Sequence, residues 1–246
     1  MSKARSHAPV LRPMTPPEEQ DDESTHAHRQ IIGYCGLLLP LLVWLVAGWR
    51  PMPNTGQWTT LESISCYYYS GAGAVYIGVI SGLAFFLFGY RGYSRSQWPD
   101  ILLSYIAAIA AVCVVLFPYR PGNGFKEPIW WSEWMGDAHN YATAVLLACF
   151  AFFSLFRFTR STKHDKDSRF RKRIYIICGV AMTISLIWAL IELLQDRPVF
   201  WPETSALFFF GVSWLTKGRA VFTVKAAAFN IWHLPLRSIQ ALLGFR

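Results

Sequence analysis

The sequence predicts an all-α membrane protein, a six-helix transmembrane bundle, and three observations support this fold class. Of its 246 residues, 53% are hydrophobic and only 15% are charged, whereas about a quarter of a soluble domain is charged. Six apolar runs are each close to the roughly 20 residues that a spanning helix needs. The Lys and Arg residues are segregated between the segments that connect these runs, as in multipass membrane proteins.

The first 30 residues are polar and include an acidic cluster. Because residues 1–30 have too few apolar side chains to bury a core, we expect a disordered cytoplasmic tail there. The segment lacks the Arg-rich, acid-poor composition of a transit peptide, and no small-residue cleavage site follows the first apolar run. We therefore expect no cleaved leader.

The apolar runs that follow predict a membrane domain over residues 31–217. Pro202 and Glu203 interrupt the first half of the last run, which is therefore the weakest of the six. The spans are expected at 31–49, 72–90, 101–117, 141–156, 174–194 and 198–215.

The positions of the basic residues predict the orientation. Eight Lys and Arg residues lie between Arg157 and Arg173, in the segment that connects the fourth and fifth spans. If both termini are cytoplasmic, nineteen of the 23 Lys and Arg residues fall on the cytoplasmic side. The positive-inside rule therefore predicts an N-in, C-in topology.

The net charge of +8 would also suit a nucleic-acid-binding protein, but these basic residues stand between membrane runs. We therefore expect anionic lipid headgroups as their partners and no nucleic acid. The residues expected to contact headgroups are Arg157, Arg160, Arg171, Lys172 and Arg173.

The C-terminal segment, 218–246, is apolar enough to touch lipid but also carries Lys225, Asn230, His233 and Arg237. A Lys or Arg at the centre of a spanning helix costs about 2.5–3.5 kcal/mol on insertion scales. We therefore predict an amphipathic helix that lies on the cytoplasmic surface rather than a seventh span.

Polar side chains collect at the outer ends of the predicted spans. Acidic side chains in or beside a span are costly to bury and usually face a cavity or a partner. The candidates for chemistry are Glu62, Ser65, Asp137, His139 and Glu203. The residues expected to bind a ligand are Tyr68, Trp134, Glu192 and Trp201.

Two kinds of chemistry are considered for these residues. No cofactor is predicted, and the alternative is a zinc ion held by His139, Glu62 and Glu203. Asp137 and His139 are two residues apart at the start of a helix, so they point to different sides and are poorly placed to share a metal. Without a metal, Ser63 and Ser65 could serve as nucleophiles with His139 as their base, but outer serines are common in helical bundles and the spacing of these residues predicts nothing.

Three functions remain open for the outer site. The first, which we prefer, is a pocket that binds a lipid or another small molecule. The second is an intramembrane lipid hydrolase with a His and carboxylate site. The third is a small transporter that uses Glu192 and Glu203 as proton or cation sites. The sequence does not decide whether the protein is an enzyme.

Several short motifs stand at the ends of the predicted spans, between roughly Ile31 and Gly218. They are Ser63-Ile-Ser-Cys-Tyr-Tyr68, Tyr90-Arg-Gly-Tyr93, Asp100, Phe117-Pro118, His139 with Ala144, Arg173-Ile-Tyr175 and Phe200-Trp201-x-Glu203. Together they resemble a family of bacterial multipass membrane proteins that is known as a domain of unknown function. The resemblance implies a location in the bacterial inner membrane, and because the motifs are mostly structural it implies little about chemistry.

More distantly, the chain is similar in shape to the FRAG/DRAM/Sfk-type six-span proteins and to the CREST group of intramembrane hydrolases. The CREST group places Ser, Asp and several His around zinc, with a late pair of His on the last of seven spans. This chain has six predicted spans and no such pair, and Tyr69 stands where the nearer family often has His. Both departures count against a zinc hydrolase.

Overall fold

The computed structural model describes residues 17–49, 58–90, 98–122, 124–160 and 166–219. These ranges contain six α-helices and no strand, which confirms the predicted all-α class. A 3₁₀ segment, Ile64–Tyr69, precedes the second helix, and a π-helical turn, Phe153–Arg157, continues the fourth. The α-helices are α1 (Pro17–Trp49), α2 (Gly73–Phe88), α3 (Trp98–Leu116), α4 (Glu133–Phe152), α5 (Lys166–Leu194) and α6 (Phe200–Lys217).

The six helices form a closed ring in which each packs against the one before it and α6 returns to α1. In the first half of α1, His28 Nε2 donates to the carbonyl of Phe86, near the end of α2, at 2.5 Å. The side chain of Gln30 donates to the carbonyl of Gly218, just after α6, at 2.7 Å. Further along α1, Gly36 lies against Phe210, earlier in α6, so α1 and α6 run antiparallel.

Four helical segments in the described ranges are long and apolar enough to cross a membrane. α2 is apolar but has only 16 residues, about 24 Å at 1.5 Å per residue, against a hydrocarbon core of about 30 Å. These lengths indicate a membrane protein. The four segments are His26–Trp49, Trp98–Leu116, Glu133–Arg157 and Ser168–Leu194.

The outward-facing surface of the helices carries many large apolar side chains, as expected for a protein surrounded by lipid. Phe85 on α2 exposes 74% of its surface and Leu194 on α5 exposes 77%. Large exposed apolar side chains also occur on the other helices, among them Leu41, Ile109, Tyr141 and Phe208. Contiguous apolar surface of this kind marks contact with a membrane or another protein.

Helix α1 begins inside the segment that the sequence predicts to be disordered. Residues 17–30 are helical and continuous with the first predicted span, so the predicted disorder does not apply to them. The end of this segment packs against the bundle, because Arg29 is only 2% exposed and its guanidinium lies 5.8 Å from the ring centre of Tyr90. The preceding residues, 1–16, lie outside the described residues.

Helix α6 is continuous where the sequence predicts an interruption. Pro202 lies in its first turn, where a backbone N–H would have no acceptor within the helix and where proline is tolerated. Glu203 lies in the same turn and turns its carboxylate towards the 3₁₀ segment. The predicted surface helix over 218–246 lies outside the described residues beyond Arg219.

A buried ion pair joins the end of α4 to the start of α3. The guanidinium of Arg157 binds the carboxylate of Asp100, and the two side chains are only 9% and 8% exposed. Arg157 is among the residues expected to contact lipid headgroups, but in the structure its charge is paired with Asp100 within the bundle. Arg160, Lys172 and Arg173 are exposed, as headgroup contact requires.

We expect Arg157→Met to lower the free energy of unfolding by about 3 kcal/mol, because it leaves the buried Asp100 carboxylate without its partner. Unfolding of the protein in mixed detergent micelles, followed by circular dichroism, measures the change. The control is Arg160→Met, which removes an exposed charge three residues later and should change stability by less than about 1 kcal/mol. Equal losses in the two variants would contradict a stabilising role for the pair.

Candidate functional site

Hydrogen bonds in both directions fasten the first turn of α6 to the start of the 3₁₀ segment. The backbone N–H groups of Val199 and Phe200 donate to the carbonyl of Glu62 at 2.7 and 2.9 Å. In return, the Glu203 carboxylate accepts from the Ser63 hydroxyl at 2.8 and 3.0 Å and from the Ile64 N–H at 2.7 Å. We call this arrangement the Glu203 clamp. It satisfies groups at two helix starts, where backbone N–H groups lack partners within the helix.

Ser63 also fixes the backbone position of Ser65, two residues later. It is the N-cap of the 3₁₀ segment, with an extended backbone, and its Oγ accepts from the Ser65 N–H at 3.0 Å. Serine is favoured at this position because its side chain satisfies an N–H that has no helical partner. The clamp and the cap together fix where Ser65 lies.

His139 on α4 is held between two backbone carbonyls and Ser65. Its Nδ1 lies 3.1 Å from the carbonyl oxygen of Val114 and 2.9 Å from that of Phe117, at the end of α3. A carbonyl oxygen can only accept, so Nδ1 carries the proton and Nε2 of the neutral ring is an acceptor. The Ser65 hydroxyl, 2.8 Å from Nε2, therefore donates to His139.

A second hydroxyl contacts Ser65 from α2. The Tyr76 hydroxyl donates to Ser65 Oγ at 3.3 Å. Tyr76 is 1% exposed, Ser65 6% and His139 2%. The three side chains form a buried chain of donors from tyrosine to serine to imidazole to the end of α3.

Ser65 and His139 line a cavity of about 90 Å³, which we call the inner cavity. Its volume is comparable with the liquid volume of about three water molecules. Its polar lining includes Ser65, His139, Asn140, Thr143 and Glu203. The apolar part of its lining comes largely from α4 and α5 and includes Ala144, Leu147, Leu186, Ala189, Leu190 and Leu193.

Thr143 stands one turn after His139 on α4 and also lines the inner cavity. Its Oγ1 is buried and has no hydrogen-bond partner among the described residues. A buried hydroxyl without a partner is uncommon because it costs about 1–3 kcal/mol. Thr143 therefore brings a buried hydroxyl without a partner among the described residues into the wall of the inner cavity.

Two further spaces adjoin the inner cavity. A smaller one of about 50 Å³ shares Ser65, Thr143 and Glu203 with it and is otherwise mostly apolar. A larger one of about 430 Å³, which we call the vestibule, shares Ser63 and Tyr119 with it. The vestibule is also lined by charged residues of both signs, namely Glu62, Arg120, Asp196 and Arg197.

The structure brings three of the five candidates for chemistry to this site. Ser65 and His139 are in direct contact, and Glu203 lines the same cavity through the clamp. Glu62 contributes its backbone carbonyl to the clamp and lines the vestibule instead. Asp137 is exposed on α4, turned away from His139, as their spacing predicts.

The four residues expected to bind a ligand lie elsewhere. Tyr68 packs against the rings of its neighbours Tyr69 and Tyr76. Trp134 and Trp201 are 57% and 62% exposed. The carboxylate of Glu192 accepts from Trp188 Nε1 at 2.9 Å and pairs with Arg197 at 3.9 Å. None of the four lines the inner cavity or the vestibule.

The alternative zinc set, His139 with Glu62 and Glu203, is not assembled. Across the described ranges, no three His, Cys, Asp or Glu side chains are grouped so that they could hold a metal ion. Both ring nitrogens of His139 already have hydrogen-bond partners.

The sequence reasoning missed Tyr76 and Thr143. Tyr76 lies in an apolar run, where tyrosine is unremarkable, so no local pattern marked it. Thr143 is four residues after His139 and so shares a helix face with it. That spacing was a signal that could have identified Thr143.

Cys66, the residue after Ser65, is fully buried beside the clamp. Burial, together with the negative charges of Glu203 and Glu62, raises the pKa of Cys66 to about 12. The thiolate is the reactive form of cysteine. The Cys66 thiol therefore stays protonated near neutral pH and reacts slowly with alkylating reagents.

The fold and the site define a helical membrane protein with a buried polar cluster near one end of its bundle. Residues 71–216, or 146 of 246, match the family described as protein of unknown function, DUF998, and the chain belongs to this family. The match covers α2 to α6 and includes His139, Thr143 and Glu203, but it begins after Ser65. No curated protein and no solved structure matches the chain, so the similarity to the FRAG/DRAM/Sfk and CREST types stays a prediction.

We expect Glu203→Ala to lower the free energy of unfolding by about 2 kcal/mol, because it leaves the Ile64 N–H and the Ser63 hydroxyl without their acceptor. Glu203→Gln keeps one acceptor oxygen and should lose less. Thermal unfolding of both variants in detergent measures the difference. The matched control is Glu133→Ala, an exposed acid near the start of α4. If Glu203→Ala were as stable as this control, the clamp would not hold the segment.

Proposed function

We propose that the protein is an integral membrane protein of the bacterial inner membrane that binds a lipid or a similar amphiphile at its outer side. The main support is the inner cavity, where the polar cluster of Ser65, His139 and Glu203 faces apolar side chains of α4 and α5. A ligand with a polar group next to an alkyl chain matches this lining, because each part would meet surroundings of its own kind.

Some residues that line the inner cavity are also exposed on the outer surface of the helix bundle. Ala144 on α4 and Leu190 on α5 line the cavity and are also exposed, Leu190 by 53%. In a bilayer the exposed side of these helices would face lipid tails. An alkyl chain could then enter between α4 and α5 without first crossing water.

We propose that all six helices cross the membrane, with both ends of the chain in the cytoplasm. The antiparallel packing of α1 with α6 supports an even number of crossings. The shortness of α2 is compatible with this, because the 3₁₀ segment extends the bundle before it. The basic residues supply the orientation, with Arg160, Arg171, Lys172 and Arg173 facing cytoplasmic headgroups.

The transporter has less support than lipid binding. Glu192 pairs with Arg197 and does not line the inner cavity with Glu203, so the two acids do not form one path. The hydrolase is favoured by one observation, the contact between Ser65 and His139, which the next subsection develops.

We expect Ala144→Trp to lower the amount of lipid that co-purifies with the protein by about tenfold, because the indole would fill the opening between α4 and α5. A tenfold loss of affinity corresponds to about 1.4 kcal/mol of binding free energy. Native mass spectrometry of protein extracted in a mild detergent measures the bound lipid. Ala148→Trp is the matched control: Ala148 is also exposed, one turn further along α4, and does not line the inner cavity. Lipid retained equally by both variants would refute binding in the cavity.

The orientation is tested with two cysteine variants at exposed positions, Lys126→Cys beyond α3 and Lys172→Cys near the start of α5. We expect a membrane-impermeant maleimide to label Lys126→Cys in intact spheroplasts and Lys172→Cys only after permeabilisation. The unsubstituted protein is the control, and its Cys66 should contribute little signal because the thiol is buried and protonated. The reverse pattern would show that the orientation is inverted.

A further inference from the structure

We propose that Ser65 is a nucleophile for acyl esters of membrane lipids, with His139 as its general base. The proposal rests on the proposed function, since the ester must enter the inner cavity. It goes further by assigning a reaction and two catalytic residues. The observation that supports it is the contact between Ser65 Oγ and His139 Nε2, on a ring whose Nδ1 faces two carbonyl oxygens.

Ser65 and His139 have the geometry of an activated nucleophile and its base. The distance of 2.8 Å from Ser65 Oγ to His139 Nε2 lies within the reach expected for proton transfer. The other ring nitrogen donates to the carbonyls of Val114 and Phe117. These carbonyls orient the ring and favour the positive charge that forms on it, as a third group does in serine hydrolases.

Ser63 donates to the Glu203 carboxylate in the clamp, and three other buried serines in the described part of the chain bond to a carbonyl or to a hydroxyl. Ser104 donates to the carbonyl of Leu87 at 2.5 Å, and Ser154 and Ser213 bond to each other at 2.6 Å. A carbonyl or a hydroxyl is too weak a base to take a proton from serine near neutral pH. Ser65 instead donates to an imidazole and lines a cavity.

Two further hydroxyl groups adjoin the reacting atoms. Tyr76 donates to Ser65 Oγ and holds that oxygen in position as its proton moves to His139. Thr143 lines the same cavity with a buried hydroxyl that has no partner among the described residues. Donors already in place at a buried site stabilise an oxyanion more than they would in water.

The reaction is a two-step hydrolysis. Ser65 Oγ bonds to the ester carbonyl carbon while its proton moves to His139 Nε2. The bond from that carbon to the alkoxy oxygen breaks, His139 returns the proton to the alkoxide, and an alcohol leaves while the acyl group stays on Ser65. Water then attacks the acyl carbon and gives a proton to His139. The bond from the acyl carbon to Ser65 Oγ then breaks, the proton on His139 returns to Oγ, and a carboxylic acid is released.

The spaces around Ser65 indicate the class of ester. The inner cavity, at about 90 Å³, has room for a carbonyl group and a few carbons. The alkyl chain would continue along Ala144 and Leu190, and the headgroup would lie in the vestibule with Arg120 and Glu62. Because the vestibule carries both signs of charge, a zwitterionic headgroup matches it better than an anionic one.

The test uses a fluorophosphonate with an alkyl chain, applied to the full-length protein in bilayer nanodiscs. We expect one phosphonyl group on Ser65, located by peptide mass spectrometry, with loss of fluoride. Ser65→Ala should abolish the label, and His139→Gln should slow it by about 100-fold or more. Tyr76→Phe should slow it by roughly tenfold. The matched control is Ser154→Ala, at a buried serine outside the site, which should label as the wild type does.

Hydrolysis of p-nitrophenyl esters with acyl chains of increasing length is the second measurement. We expect turnover in the wild type that Ser65→Ala abolishes while its thermal unfolding in detergent stays close to that of the wild type. That combination would separate loss of catalysis from misfolding. An unlabelled Ser65 together with turnover unchanged in Ser65→Ala would overturn the catalytic assignment and leave lipid binding standing. Absence of bound lipid from every variant and the wild type would overturn both proposals.

Discussion

The Glu203 clamp is the constraint on which the site depends. A segment between two helices is ordinarily free to shift along the end of the bundle. The 3₁₀ segment is held in place because its first residues exchange hydrogen bonds with the first turn of α6. Ser65 follows directly, so its position is set relative to α6. His139 is set independently, by the end of α3. The contact between Ser65 and His139 therefore joins parts of the molecule that different interactions hold in place.

Polar contacts of the same kind recur inside the helix ring. Ser154 bonds Ser213 between the end of α4 and α6, and Ser185 bonds Ser205 between α5 and α6 at 2.9 Å. In lipid, apolar packing gives helices little preference for one another over lipid tails, so small polar residues contribute to specific association. Hydrogen bonds between hydroxyl-bearing side chains therefore occur both at the site and between the helices. The site differs because its hydrogen-bonded side chains also line a cavity.

Helix positions could be predicted from this sequence, whereas the meeting of the polar side chains could not. Hydropathy and length are properties of consecutive residues, so each predicted span lies on a helix. The opposite facing of Asp137 and His139 followed from helical geometry alone. Glu192 and Glu203 look alike in sequence, each an acid near the outer end of an apolar run, yet Glu192 pairs with a neighbouring arginine and Glu203 holds the clamp. Contacts across 74 residues, such as that of Ser65 with His139, have no periodic signature.

Ala144 and Leu190 line the inner cavity and are exposed on the outside of the bundle, so a ligand could reach the cavity from the bilayer. A ligand that enters from the bilayer would reach the protein by lateral diffusion in the membrane. The fraction of protein with bound ligand would then depend on the mole fraction of the ligand among the membrane lipids. Its concentration in the surrounding buffer would matter little. Excess detergent would then act as a diluent and empty the site without competing for it.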